Sequence, residues 1–278
     1  MAEVNVSTWD EIVAVLTTGT EDTTINLTKD IDLNDEYPEG ITRVAANQHN
    51  YTINGNGYAI RNLLRSDTSR NGVICGKTTS CWITFINVNL ENWTVEASGT
   101  SGVHGYTFQY VALYNSDISI KLIGDENLTL NSSTEFLRMS ECAVRVDGHI
   151  GLPNNYPPSV AFETYVDTCH ITLIGKFYQV ILRANRCFID GEFEVFVSNY
   201  SERVNFNYSS LTVITATINT NQNITNSYGS QCAIDTSVIV TTGTISSNFI
   251  QCNTEQIKSP EYLASQGFVI VPEVVGGS

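Results

Sequence analysis

Basic residues are scarce in this chain: 14 Lys and Arg stand against 29 Asp and Glu, for a net charge of −15. So acidic a surface repels phosphate backbones and anionic headgroups, which excludes nucleic acid and membrane as partners. Charge of either sign is thin at 15%, and there are only 6 Pro, 4 His and 2 Met. The histidines (49, 104, 149 and 170) are scattered, so none pairs at metal-ligand spacing. No apolar run approaches the length of a membrane span. Met1-Ala-Glu-Val-Asn offers neither a basic n-region nor an apolar core, so no secretory signal is expected. The seven Cys then read as reduced core thiols, the odd number leaving at least one free in any case. Thr, Asn and Ser fill much of the chain, a mixture that favours strands and turns and starves helices. Apolar content of 42% is enough for a continuous core. Nine Asn-x-Ser/Thr sequons, at Asn5, Asn26, Asn50, Asn92, Asn127, Asn131, Asn199, Asn207 and Asn223, read as accidents of that composition.

One short pattern returns along the chain. A polar pair is followed by Cys or a substitute, and then by β-formers at every second position. It is written Ser140-Glu141-Cys142-Ala-Val144-Arg-Val146 and Asp167-Thr168-Cys169-His-Ile171-Thr-Leu173. It returns as Asn185-Arg186-Cys187-Phe-Ile189-Asp-Gly191, Ser209-Ser210-Leu211-Thr-Val213 and Ser230-Gln231-Cys232-Ala-Ile234. Upstream, Thr79-Ser80-Cys81-Trp-Ile83 and Tyr114-Asn115-Ser116-Asp-Ile118 fit as well. The intervals between the Cys slots are 35, 26, 27, 18, 24 and 21 residues, too irregular for a helical array. One turn, one inward strand and one variable loop per interval describe a coil of a parallel β-solenoid. Alternation puts Cys142, Cys169, Cys187 and Cys232 inside as a buried thiol ladder, where a free thiol behaves as a small hydrophobe. The residues that follow them point out, so Trp82, Ala143, Phe188 and Ala233, with Ile214 nearby, form an apolar outward row suited to an assembly face.

Taken in order, Thr8-Trp9-Asp10-Glu11 is a capping box, with Trp9, Ile12, Val13 and Leu16 on one face and Gly19 as the stop. Residues 8–18 are therefore a helix covering the open end of the solenoid. Coils occupy 20–250, and a C-terminal cap occupies 254–278, with a helix opened by Ser259-Pro260. Helices are expected only near 8–18 and 259–266. The acidic run Asp30–Asp35 imitates a calcium loop, but Asp35 stands at the Gly position and Ile41 at the terminal Glu position, so it reads as a solvated strand edge. Two loops, residues 96–106 and Asn154–Pro158, project from the side. No boundary divides the chain, which reads as one domain over 1–278.

The opening helix, Leu27-Thr-Lys-Asp-Ile-Asp-Leu-Asn34, Ile53-Asn-Gly-Asn-Gly57 and the closing Tyr262–Ile270 segment together resemble pectate-lyase-like right-handed parallel β-helix proteins. Proteins of that kind occur in bacteriophage virions and on bacterial surfaces. The resemblance implies an all-β fold, a single-stranded right-handed parallel β-helix with short helical caps, of roughly ten coils. It implies no activity by itself.

The catalytic signatures of polygalacturonase-like enzymes are missing. There is no Asn-Thr-Asp, Asp-Asp, Gly-His-Gly or Arg-x-Lys, and Gly148-His149-Ile150-Gly151 only approaches the third. Glu163 with Asp167, or Glu192 with Glu194, could imitate the paired carboxylates of a glycosidase, but ordinary solvated strand faces account for them. No catalytic residue, metal ligand or cofactor is assigned. The expected function is non-enzymatic: a virion β-helix such as a capsid decoration, head fibre or tail-associated protein. It would lie at the virion surface, assemble as a homotrimer with itself and other virion proteins, and contact host surface polysaccharide. A tailspike-type depolymerase and a bacterial surface adhesin are the alternatives.

Overall fold

In the computed structural model, the residues described are 1–66, 74–78, 80–96, 105–124, 128–131, 137–150, 157–195, 204–206, 209–227 and 231–268. Most of residues 96–106, Asn154 to Tyr156, the sequons at Asn127, Asn199 and Asn207, and the last ten residues of the expected cap lie outside them.

Strands dominate, in one sheet of 14 and another of 13, and their pairings are parallel. Each passage of the chain through a sheet lies in register on the previous one. In the 13-stranded sheet one column runs Ile31, Ile60, Leu90, Ile118, Val144, Ile171, Ile189, Ile214 and Ile234. In the 14-stranded sheet Thr23, Tyr51, Ile83, Val111 and Leu137 stack in the same way. This is the pairing that a parallel β-helix requires: each N–H and C=O along the axis is taken up by a neighbouring coil. Within a strand, burial alternates with the side-chain period of two, and in Ile118–Gly124 every second residue is buried. The inward residues form one apolar cluster running from Val6 to Phe249.

The corner leading into the 13-stranded sheet is built the same way on seven successive passages. Asn87, Asn115, Glu141, Thr168, Arg186, Leu211 and Gln231 all hold positive φ, between 46 and 56°. Their backbone N–H groups reach the next passage: Asn115 to the Ser140 carbonyl at 3.0 Å, Thr168 to that of Asn185 at 2.9 Å, and Arg186 to that of Ser210 at 2.9 Å. This left-handed kink turns the chain from one sheet to the other while keeping the axial hydrogen bonds.

Helix α1, Trp9–Thr18, begins at the expected capping box. The Thr8 side chain accepts from Glu11 N, the Glu11 carboxylate accepts from Thr8 N, and Trp9, Ile12 and Leu16 are buried. It does not open the fold, because a strand, Ala2–Val6, comes first and pairs with Thr23–Leu27. That strand is short and only half-buried, so its pattern alone did not announce it.

Helices are not confined to the two expected places. Helix α2, Leu33–Glu36, forms in the acidic run, where Asp32 accepts from Asn34 N. Helix α3, Thr254–Ile257, has an Asn253 capping box, and a 3-10 turn covers Thr236–Val238 under an Asp235 cap. In each case a side-chain acceptor satisfies the exposed N–H groups of a single turn. Helix α4, Pro260–Ser265, has the expected Ser259 cap and leading proline. Helices α3 and α4 lie against the outer flank of the 13-stranded sheet, where Ile257, Leu263 and Phe268 pack with Ala233, Val213 and Ile250.

Candidate functional site

Apart from Val88 after the first corner, the slot after each corner holds a small group with a polar hydrogen, and the register shows why. Cys142 Sγ donates to Ser140 O at 3.2 Å, Cys169 Sγ to Asp167 O at 3.3 Å, and Cys187 Sγ to Asn185 O at 3.2 Å. Ser116 Oγ and Thr212 Oγ1 make the same bond, to Tyr114 O and Ser210 O, each at 2.9 Å. The slot atom also accepts the slot N–H of the preceding coil, from Val88 to Ser116 Oγ, Cys169 to Cys187 Sγ, and Cys187 to Thr212 Oγ1. The column is therefore a hydrogen-bonded ladder and not only a set of small hydrophobes.

Cys142, Cys169, Cys187 and Cys232 are all buried and free. Contact with the Cys169 thiol, then burial, pushes the Cys142 thiol up. Contact with Cys142 pulls Cys169 down, but contact with Cys187 and burial outweigh it and leave that thiol at about 12. Burial raises Cys232 to about 12. A thiol is nucleophilic only as thiolate, so the raised values of Cys142, Cys169 and Cys232 disfavour nucleophilic chemistry near neutral pH.

Two members of the repeat are misaligned in the sequence reading. Thr212, fully buried, pairs with Cys232 and fills the slot assigned to Leu211, which sits at the corner instead. Cys81 is in the other sheet: the residues after it pair with Tyr51–Asn54, while the slot of that coil is Val88, ahead of Leu90. Both errors share a cause. Every strand of either sheet alternates, so a local pattern cannot say to which column a strand belongs.

The expected outward row is broken in consequence. Ala143, His170, Phe188, Val213 and Ala233 are true neighbours on the 13-stranded sheet. Trp82 is on the 14-stranded sheet, edge-on to Tyr110 at 6.0 Å with the Arg138 guanidinium 4.4 Å over its ring. Ala233 is fully buried beneath α3 and α4, and Ile214 points into the core, so neither can meet a partner. Of the four residues, Ala143 and Phe188 remain on one accessible flank, Phe188 edge-on to the His170 ring at 5.2 Å.

One member of each expected carboxylate pair, Asp167 and Glu194, is bound to a cation. Asp167 is buried and takes a two-pronged guanidinium contact from Arg186 and a bond from Asn185 Nδ2 at 2.7 Å, while the Glu163 side chain lies outside the described residues. Glu192 and Glu194 share an outer face, but Glu194 is paired with Lys176 at 3.1 Å. In the acidic run, Asp30 accepts from Ala59 N at 2.9 Å and binds Arg61 at 2.8 Å, and Asp32 accepts from Asn62 Nδ2 at 2.9 Å. Those carboxylates tie neighbouring coils together. Arg61 also reaches Glu91 at 2.5 Å, and this hydrogen bond raises its already high pKa further.

A groove of about 250 Å³ opens on the outer face of the 13-stranded sheet. Its floor is Ala143, exposed and small between taller neighbours in its row, Asn89 and Asp117 on one side and His170 on the other. The second row of the same face supplies Glu91, Ser119, Arg145 and Thr172. His170 Nε2 donates to Asp190 Oδ2 at 2.9 Å, and Thr172 Oγ1 donates to Asp190 Oδ1 at 2.7 Å, so the ring is fixed and its Nδ1 is turned to other use. This groove could not be read from the sequence, since its residues come from four strands spread over residues 89–172. Among the described residues no group of three or more His, Cys, Asp or Glu is placed to hold a metal ion.

Residues 3–138 match the family model described as "Putative pectate lyase-like adhesive domain". No curated protein matches the chain significantly. The matched stretch ends within the strand Leu137–Ser140, yet the same two sheets run on through Ile224–Thr225 and Ile250–Cys252. The chain is an all-β protein of parallel sheets whose residues 3–138 are similar to a pectate lyase-like adhesive domain.

Proposed function

We propose that the protein is a non-enzymatic attachment component of a bacteriophage virion, a rigid β-rod whose exposed sheet faces meet the host surface. The observation that carries this reading is the match to an adhesive domain on a scaffold of continuous parallel sheets. Seven free cysteines, six of them buried, suit folding in a reducing cytoplasm and favour a virion part over a secreted adhesin. The depolymerase reading asks for two carboxylates facing one cleft with room for substrate. Here Asp167 is buried against Arg186 and Glu194 is paired with Lys176, which favours the non-enzymatic reading.

The test uses the purified chain with encapsulated and capsule-stripped host cells. Sedimentation of the protein with cells, without new reducing ends or unsaturated products in the supernatant, is the expected result. Release of sugar fragments would establish the depolymerase instead. Failure to sediment with either cell preparation would remove the attachment reading.

A further inference from the structure

On the outer face of the 13-stranded sheet, ion pairs flank the groove on both sides. Arg61 is held between Asp30 and Glu91, and Lys176 by Glu194. The groove is different. The side chains of Asn89 and Ser119 have no hydrogen-bond partner among the described residues. Asp117 accepts one backbone N–H, from Ala143 at 3.3 Å, through Oδ1, which leaves Oδ2 open. Among the described residues the Arg145 guanidinium pairs with Asp147 alone, at 3.4 Å through Nε. His170, fixed through Nε2 by Asp190, presents Nδ1 as an acceptor in its neutral form. Donors and acceptors with remaining hydrogen-bonding capacity thus surround the methyl floor of Ala143 and line one hollow.

We infer that this groove binds a neutral glycan. Hydroxyls of a sugar ring can both donate and accept. They would donate to Asp117 and to His170 Nδ1, and accept from Arg145, Ser119 and the Asn89 amide, while the ring's C–H face rests on Ala143. The electrostatics select against an acidic polymer. The single guanidinium is balanced by Asp147 and faced by Asp117, and the chain as a whole carries −15. Width is set by Ala143, since any larger side chain in that position would fill the hollow. The inference rests on the attachment reading and names the surface and the ligand class for it.

Affinity electrophoresis of the full chain through gels containing dextran, mannan or galactan, with polygalacturonate and alginate as acidic counterparts, tests it. Retardation by at least one neutral polymer and by neither acidic one is expected. Ala143→Trp, at an exposed position, should abolish that retardation with the circular dichroism and melting temperature unchanged. Asp117→Ala should weaken it by roughly tenfold or more, the loss of a charged hydrogen-bond partner. Retardation by acidic polymers alone, by none of the five, or to the same extent in Ala143→Trp overturns the proposal. Cell sedimentation separates the two readings. Ala143→Trp protein that still sediments with host cells removes the groove and keeps attachment, whereas wild-type protein that does not sediment removes attachment itself.

Discussion

At the scale of single residues, the corner into the 13-stranded sheet is the most demanding position. Left-handed backbone is easy for Gly and tolerable for Asn, but costs about 1–2 kcal/mol for other residues. The first two corners use Asn87 and Asn115, whereas Thr168 carries a β-branched side chain at φ 54°. Thr168→Asn should therefore stabilise the protein by about 1 kcal/mol, read from the urea midpoint at unchanged slope. The slot that follows gives a second case. Ser116 and Thr212 already make its bonds, so the hydroxyl of Cys187→Ser has partners waiting at Asn185 O and Cys169 N. The substitution should cost less than about 1 kcal/mol, not the larger penalty of an unpaired buried hydroxyl. The ladder thiols should resist Ellman's reagent in native protein at pH 8 and react at once in denaturant. Rapid native labelling would contradict their burial.

At the scale of elements, helix α1 hangs on its cap. Thr8→Ala should cost about 1 kcal/mol by orphaning Glu11 N. The Glu11 carboxylate, held mainly by the backbone N–H of Ser7, ionises more readily than usual, and Asp22 is lowered by the backbone N–H of Asn50. A carboxylate whose folded pKa lies below its unfolded value stabilises the fold above the unfolded value, about 4, and loses that contribution as pH falls through the folded one. Melting temperature should accordingly drop as pH falls below about 4, and Glu11→Gln should reduce the drop. Tyr37 links α1 to α2 by donating to Asp10, a bond that pushes its phenol up to about 12. At the other end, α3 and α4 close over Val213, Ala233 and Ile250. Leu263→Asp should expose that patch and lower stability by about 2–4 kcal/mol, with dye binding to exposed apolar surface as the direct readout.

At the scale of the whole molecule, the two aromatic outward residues belong to different sheets, Trp82 with Tyr110 and Arg138, Phe188 with His170. Residues on separate faces cannot share one flat interface. Trp82→Glu combined with Phe188→Glu should therefore leave the mass measured by light scattering as it is in the wild type. A drop in mass seen only in the double variant would mean that another copy bridges both sheets. Adhesion, if it runs through the groove, should be independent of Trp82 and sensitive to Ala143.

The sequence by itself determined the parallel β architecture, the first helix and the inward thiols. Those signals are local: a two-residue alternation after a polar corner, and a capping box ahead of a one-sided apolar stripe. Ser140–Val146 and Asp167–Leu173 needed nothing beyond their own pattern. Only the tertiary structure decided which strand stacks on which. A shift of one residue moved Thr212 into the place assigned to Leu211, and sheet membership moved Cys81 and Trp82 away from the column they resemble. Parallel pairing joins residues about 20–30 apart through backbone groups common to every residue type, so the chain's own letters weakly specify the partner. The burial of Ala233 under distant helices, and the hollow above Ala143, depend on those partners and so became visible only once the coils were stacked.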